Sequence, residues 1–251
     1  WVLNGQKVWT TWAHVANHGL VVMRTDPTVP KHRGLSMFIV DMRAPGVEVV
    51  PLRQLTGRSR FNEVFLTDVR VSAGALVGPL DEGWRVTTAM LMYERVSVQQ
   101  GASNEGRHAR ADALIAEAKR VGRAHEHQLR QRLVDLYIRE TLLSLGAERT
   151  RAAQTVGREP GPAGSIGKLA SALIAARYRD LLFDVRGVAS VAWADGDGAD
   201  WAERALDTLA QGIAGGTNEI QRSILGDRVL GLPREPSIDR DVPFQDLLAN
   251  R

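Results

Sequence analysis

The sequence predicts an α+β protein: an antiparallel β-sandwich or open barrel over residues 1–78, followed by an all-α antiparallel helical bundle over residues 79–251. Three observations carry this. Short β-branched and aromatic runs fill the first third and are punctuated by turn residues. Near residue 80 the apolar period changes from two to that of a helix. Strands followed by a block of helices, rather than alternating with them, mean two packed layers of different kind.

The strands come in order. Asn4-Gly5 reads as a hairpin turn leading into Lys7-Val8-Trp9-Thr10-Thr11. Further runs cover 19–23, 35–41, 47–52 and 62–71, separated by Thr25-Asp26-Pro27, Arg33-Gly34 and Ala44-Pro45-Gly46. Glu82-Gly83-Trp84 opens a helix that continues to about Gln100. Helical patterns follow over 110–121 and from about His125 to Thr155, the latter with Leu129, Leu133, Leu136 and Leu143 on one face. Arg158 to Ser165 is a Pro/Gly linker, and a fourth helix runs from Ile166 to about Val191. Ala194 to Asp200 reads as a loop, and two more helices flank Gly212-Ile-Ala-Gly-Gly-Thr-Asn-Glu-Ile-Gln-Arg222. There the two glycines stop one helix, Thr217 and Asn218 are good N-caps for the next, and Asn218 with Gln221 approximates a capping box.

Composition narrows the functional classes. The 251 residues carry a formal charge of only +3, with both signs interleaved, so nothing demands nucleic acid. A polyanionic nucleotide ligand is compatible. There is no cysteine, hence no disulfide, thiol nucleophile or cysteine-based metal site. No apolar run is long enough for a membrane helix. His125 and His127, two apart on a helix, point about 200° from one another and cannot clamp one ion. Asp195-Gly-Asp-Gly-Ala-Asp200 lacks a glutamate at its twelfth position, where Leu206 stands, and reads as a polar turn.

Some positions combine side chains suited to chemistry. In a regular strand Trp9 and Thr11 share a face, setting an indole beside a hydroxyl. Taken alone this is an ordinary half-buried strand. Glu94, in Tyr93-Glu94-Arg95, taken alone is a solvated helix residue. The backbone N–H groups of the glycine turn can receive an anion or a carbonyl oxygen.

Gly-Gly-Thr-Asn-Glu-Ile-Gln-Arg222 with Ile224-Leu-Gly-Asp-Arg-Val-Leu-Gly-Leu-Pro-Arg234 resembles the C-terminal signature of acyl-CoA dehydrogenases. Residues 1–78, through Trp9-X-Thr11, Leu55-Thr-Gly-Arg58 and Phe61-Asn-Glu-Val-Phe65, resemble the middle β-domain of the same family. The resemblance implies FAD as cofactor and α,β-dehydrogenation of an acyl-CoA thioester to a 2,3-enoyl-CoA. It places Trp9 and Thr11 against the flavin ring, and Thr217 and Glu219 near the FAD ribose and adenine. Many members carry the catalytic glutamate in the glycine turn, where this chain has Gly215. Others, resembling the isovaleryl- and long-chain-specific enzymes, carry it just before an arginine on the earlier helix, as Glu94-Arg95 stands here. On that pattern Glu94 is the base. Gly215 keeps a backbone donor for the thioester oxygen, and Arg95 and Gly216 belong to the substrate side.

The resemblance also implies an electron-transfer flavoprotein as acceptor, a homotetramer or other homo- or hetero-oligomer, and a role in fatty-acid β-oxidation. A bacterial cytoplasmic location is expected. The family's N-terminal helical domain is absent from this sequence, which therefore reads as the middle and C-terminal parts of a longer protein. Two departures stand out. No Arg-X-X-Phe-Gly motif occurs near 107–118, and the family's Gln-X-X-Gly-Gly-X-Gly is replaced by Asp184-Val-Arg-Gly-Val-Ala-Ser190. They keep two alternatives open: a non-catalytic or partner-dependent subunit of a heteromeric assembly, and an acyl-CoA oxidase.

Overall fold

The computed structural model describes residues 1–103, 109–158, 161–162, 164–190 and 197–247; for 95–103 and 197–199 the backbone alone is described. Contacts group the chain into two compact units: residues up to Met90 with the segment from Glu235 onward, and Leu91–Arg234. The sequence reading assigned everything after residue 78 to the helical domain. In the structure residues 235–247 run along the β unit. Pro243 bridges Pro30, Phe244 N–H donates to the Val29 carbonyl (2.9 Å) and Lys31 pairs with Asp239 (2.7 Å).

The β unit is a sandwich of two three-stranded antiparallel sheets. One has the order β1 (Val2–Thr11), β5 (Phe61–Arg70), β4 (Val47–Leu52); the other has β2 (His18–Arg24), β3 (Leu35–Asp41), β6 (Leu76–Val77). Leu3, Val64, Leu66 and Val69 from the first sheet meet Val21, Phe38 and Val40 from the second, all buried. Lys7 crosses this layer, its Nζ donating to the Val22 carbonyl at 2.9 Å. Burial lowers its pKa, since a desolvated ammonium is disfavoured.

Asn4-Gly5 makes no hairpin. β1 runs straight through it, because a full partner strand, β5, is available to satisfy its backbone. The extra residue at this point lies on β5, where Asp68 sits at φ 50°. Asn4 holds that bulge from both sides: its Oδ1 accepts from Asp68 N–H (2.8 Å) and its Nδ2 donates to the Asp68 carboxylate (3.0 Å). A second bulge, on β1 between Lys7 and Thr10, restores the register. A pair of bulges on opposite strands bends the sheet locally while keeping the same faces buried at both ends.

The helices are α1 (Gly83–Ser103), α2 (Ala109–Arg120), α3 (His127–Thr155), α4 (Gly164–Arg186), α5 (Asp197–Ala210) and α6 (Asn218–Ile224). Gly83 starts α1 where a Cβ would stand 2.6 Å from the Ser36 backbone, so only glycine allows this approach to β3. In the second unit Leu129, Leu133 and Leu136 of α3 are buried as expected, against Leu114 of α2 and Tyr178, Leu181 and Leu182 of α4. α4 ends at Arg186 rather than near 191, and a 3₁₀ turn, Gly187–Ser190, follows. α5 begins at Asp197, inside the expected 194–200 loop; residues 191–196 of that loop lie outside the described residues. Among the described residues no helix is long and apolar enough to cross a membrane, and no cluster of His, Cys, Asp or Glu could hold a metal.

Candidate active site

The β unit carries an aromatic wall of its own. Trp9 occupies the β1 bulge at φ 62°, a left-handed conformation that costs a non-glycine residue roughly 1–2 kcal/mol. The bulge breaks the simple alternation that sequence periodicity assumes. Lys7 pairs with the buried Val64, yet Thr11 pairs with Phe61, and the Trp9 indole lies edge-on to Phe61 at 6.1 Å and 80°. Phe61 is therefore what joins Trp9 to Thr11. Trp9 is 66% exposed and Thr11 is exposed, so a flat apolar face and a hydroxyl are presented to solvent together. Beneath them Asn62 is fully buried. Its amide nitrogen donates to the Thr10 carbonyl (3.0 Å) and its oxygen lies 3.1 Å from His14 Nδ1, which locks the strand end.

The helical unit, described by itself, carries the glycine turn. α5 ends at Ala210, whose carbonyl accepts from both Ile213 and Ala214 N–H (3.0 and 2.8 Å). Gly215 (φ 65°) and Gly216 (φ 93°) then reverse the chain in a region that side chains rarely adopt. α6 starts at Asn218 with Thr217 as its N-cap, the hydroxyl accepting from Ile220 N–H at 3.2 Å. The expected capping box of Asn218 with Gln221 does not form, because Gln221 turns inward. It is 1% exposed, and its Nε2 donates to the Gly215 carbonyl at 3.1 Å. Its Oε1 and the Asn218 Oδ1 are buried without a partner in the described structure. Among the described hydrogen bonds, the N–H groups of Gly215 and Gly216 donate to no protein acceptor. A Cβ on Gly215 would meet nothing nearer than Lys168 Cε at 4.0 Å, whereas one on Gly216 would strike Gln221 Nε2 at 2.5 Å.

Around the turn, Lys168 Nζ donates to the Gln211 carbonyl at 3.0 Å, and Arg110 donates to the Gln211 side chain at 3.3 Å. Burial lowers the Lys168 pKa, opposed by the charge of Glu219. The Glu219 carboxylate is held below its usual range, first by its own backbone N–H and then by the Thr217 hydroxyl. Glu94 stands on α1 with its side chain exposed, and the Arg95 side chain lies outside the described residues.

In the Asp184–Ser190 string, where the resemblance expects the Gln-X-X-Gly-Gly-X-Gly flavin-phosphate motif, Asp184 and Arg186 are held in ion pairs. Arg186 and Glu117 meet at 2.5 Å, both only 8% exposed, and the Arg186 guanidinium covers the Trp201 ring at 4.5 Å. Asp184 pairs with Arg132, and its carbonyl accepts from Arg123. Arg120 and Arg186 hold the Glu117 pKa down at about 2.

The family models of the acyl-CoA dehydrogenase middle domain and C-terminal domain match residues 1–69 and 81–230. The chain belongs to the acyl-CoA dehydrogenase family. Acyl-CoA dehydrogenase IpdE1 of Mycolicibacterium smegmatis is 41% identical over 239 residues, covering 94% of this chain and 58% of that protein. Its Mycobacterium tuberculosis counterpart is 38% identical over 243 residues, covering 94% and 60%. The chain thus spans less than two thirds of the length of these acyl-CoA dehydrogenases. Among solved structures, a complex described as the Tcur3481-Tcur3483 steroid ACAD superposes with a TM-score of 0.83 at 24% identity, over 93% of this chain and 61% of that one. The ChsE4-ChsE5 complex of M. tuberculosis gives 0.75 at 26% identity, over 93% and 62%. The β-sandwich followed by a helical bundle is the acyl-CoA dehydrogenase arrangement of these two domains.

Three residues that the structure brings forward had no site role in the sequence reading. Phe61 stood only in the string that carries the family resemblance, just before the expected strand at 62–71, because its pairing with Thr11 spans fifty residues. Lys168 lies forty-three residues from its acceptor. Gln221 was read only as half of a capping box, although it stands a helical turn beyond Thr217, on the face that α6 buries.

Proposed function

We propose that the protein of which this chain is part is an FAD-dependent acyl-CoA dehydrogenase that takes its base from α1. The observation that carries the reading is residue 215: a glycine, with no carboxylate in the turn, while the Glu-Arg pair stands at 94 and 95. The residues present fit the cofactor. Trp9 and Phe61 offer an aromatic face and Thr11 a hydroxyl, which suits a flavin ring. Thr217 and Glu219 are assigned to its adenosine portion. When bound, FAD supplies a two-electron acceptor for the hydride leaving the β-carbon.

The chain's own groups do the rest. The Glu94 carboxylate removes the α-proton of the thioester. The free N–H groups at Gly215 and Gly216 donate to the thioester oxygen as negative charge builds there. Loss of the α-proton and the β-hydride leaves the 2,3-enoyl thioester. Arg95 is assigned to the coenzyme A side of the site.

The substrate class we favour is the CoA thioester of a steroid-derived acid rather than a straight fatty acid, in line with the solved steroid ACAD whose fold this chain shares. An electron-transfer flavoprotein is the proposed acceptor. A second reading, a subunit that works only within a mixed assembly, is favoured by the Glu117–Arg186 and Asp184–Arg132 pairs. They occupy the place of the flavin-phosphate motif. One experiment separates the two: the absorbance spectrum of the full-length protein, repeated with a panel of acyl-CoAs and no electron acceptor. A yellow protein that one thioester bleaches supports the dehydrogenase. A protein that takes up flavin only after a partner chain is added supports the subunit.

A further inference from the structure

We infer that Lys168 is a positioning residue for the oxyanion-binding turn, acting through the Gln211 carbonyl. The inference rests on the proposed function and adds to it a residue to which that function gave no role. α5 is a fourteen-residue helix whose C-terminal end stops at the turn. Aligned peptide dipoles place about half a negative charge at such an end. Ile213 and Ala214 N–H already cap the Ala210 carbonyl, but negative charge develops on the thioester oxygen during proton removal, and a carbonyl left without a donor between α5 and the turn would oppose it. Lys168 answers this directly. Its ammonium donates to the Gln211 carbonyl, the residue just past α5, at 3.0 Å. Its Cε is the atom nearest to where a Gly215 side chain would begin, at 4.0 Å. Here Gly215 leaves the ammonium facing the turn, with Glu219 as the acidic group that bears on it.

The hydrogen bond and the charge act together. The bond fixes the chain leading into Gly215, and Gln221 fixes the Gly215 carbonyl from the other side at 3.1 Å. Between these two anchors the chain at Gly215 and Gly216 has little freedom, so its two N–H groups are held in place before the oxyanion forms. Preorganisation of this kind is felt in the transition state more than in substrate binding.

The test uses the full-length flavoprotein and flavin reduction by an acyl-CoA in the absence of an acceptor, with wild type, Lys168→Met and Lys168→Arg. Lys168→Met keeps the length of the side chain and removes donor and charge. Expected is a fall of about tenfold or more in the limiting reduction rate, with half-saturation within about threefold of wild type, and recovery of most of the rate by Lys168→Arg. An unchanged limiting rate overturns the inference, as does a raised half-saturation at unchanged rate or a lowered melting temperature alone. If Lys168→Met does not fold, Lys168→Gln is judged by the same two numbers. Wild-type protein whose flavin is never reduced by any thioester overturns the proposed function itself, a result distinct from a normal wild type with an indifferent Lys168 variant.

Discussion

The buried amide of Gln221 reaches back across the start of α6 to the Gly215 carbonyl, and the space it uses is the space a side chain on Gly216 would need. The two glycines of the turn are therefore not equivalent. Gly216→Ala forces a left-handed alanine and a displaced glutamine, at a cost on the order of 2–4 kcal/mol. Gly215→Ala meets only Lys168 Cε at van der Waals distance and costs the backbone strain alone, roughly 1–2 kcal/mol. Denaturant unfolding of the two variants should order them in this way. Equal losses would mean that Gln221 does not pack as described.

Glu94→Gln keeps shape and removes the base. Flavin content and melting temperature should be unchanged, while flavin reduction by the acyl-CoA that bleaches wild type slows by roughly 10²–10⁴-fold. A variant that reduces at the normal rate would move the base elsewhere.

Trp9 separates structure from function. Its ring is mostly exposed and its backbone is left-handed, so Trp9→Gly relieves strain as it loses little buried surface. Unfolding free energy should change by less than about 1 kcal/mol, because the lost strain offsets the greater freedom of glycine in the unfolded chain. Flavin retained through gel filtration should nevertheless fall, and Trp9→Phe should restore it.

The Glu117–Arg186 pair predicts an acid limb. The Glu117 pKa of about 2 lies below the ordinary glutamate value of 4.5, first because of the hydrogen bond from Arg120. A depressed carboxylate stabilises the fold above its unfolded pKa, and that contribution is lost as pH falls through the folded value. Stability should therefore drop between about pH 4.5 and pH 2, and Glu117→Gln should flatten that part of the profile. At neutral pH the same variant leaves Arg186 buried beside a neutral amide and should cost roughly 3–5 kcal/mol. Melting temperature against pH for both proteins decides the matter.

Local information in the chain determined a good deal. The change of period near residue 80, the leucine face of α3, the stop at Gly215-Gly216 and the N-cap at Thr217 are all properties of a few adjacent residues, and adjacent residues are what a sequence displays. The family resemblance rests on such strings too, and the matches to residues 1–69 and 81–230 bear it out. What only the tertiary structure decided depends on partners far away in the chain. Asn4-Gly5 has every mark of a turn, but β5 offers it a ladder, and the spare residue appears at Asp68 instead. Trp9 and Thr11 come together through a bulge and through Phe61, which no alternation rule contains. Gln221 looks like half of a capping box until burial turns it toward Gly215. Lys168 reaches Gln211, and Arg186 meets Glu117, only once three helices have packed. Propensity and capping are settled within one helical turn, whereas burial, strand register and ion pairing are settled by whichever surface the rest of the chain brings alongside.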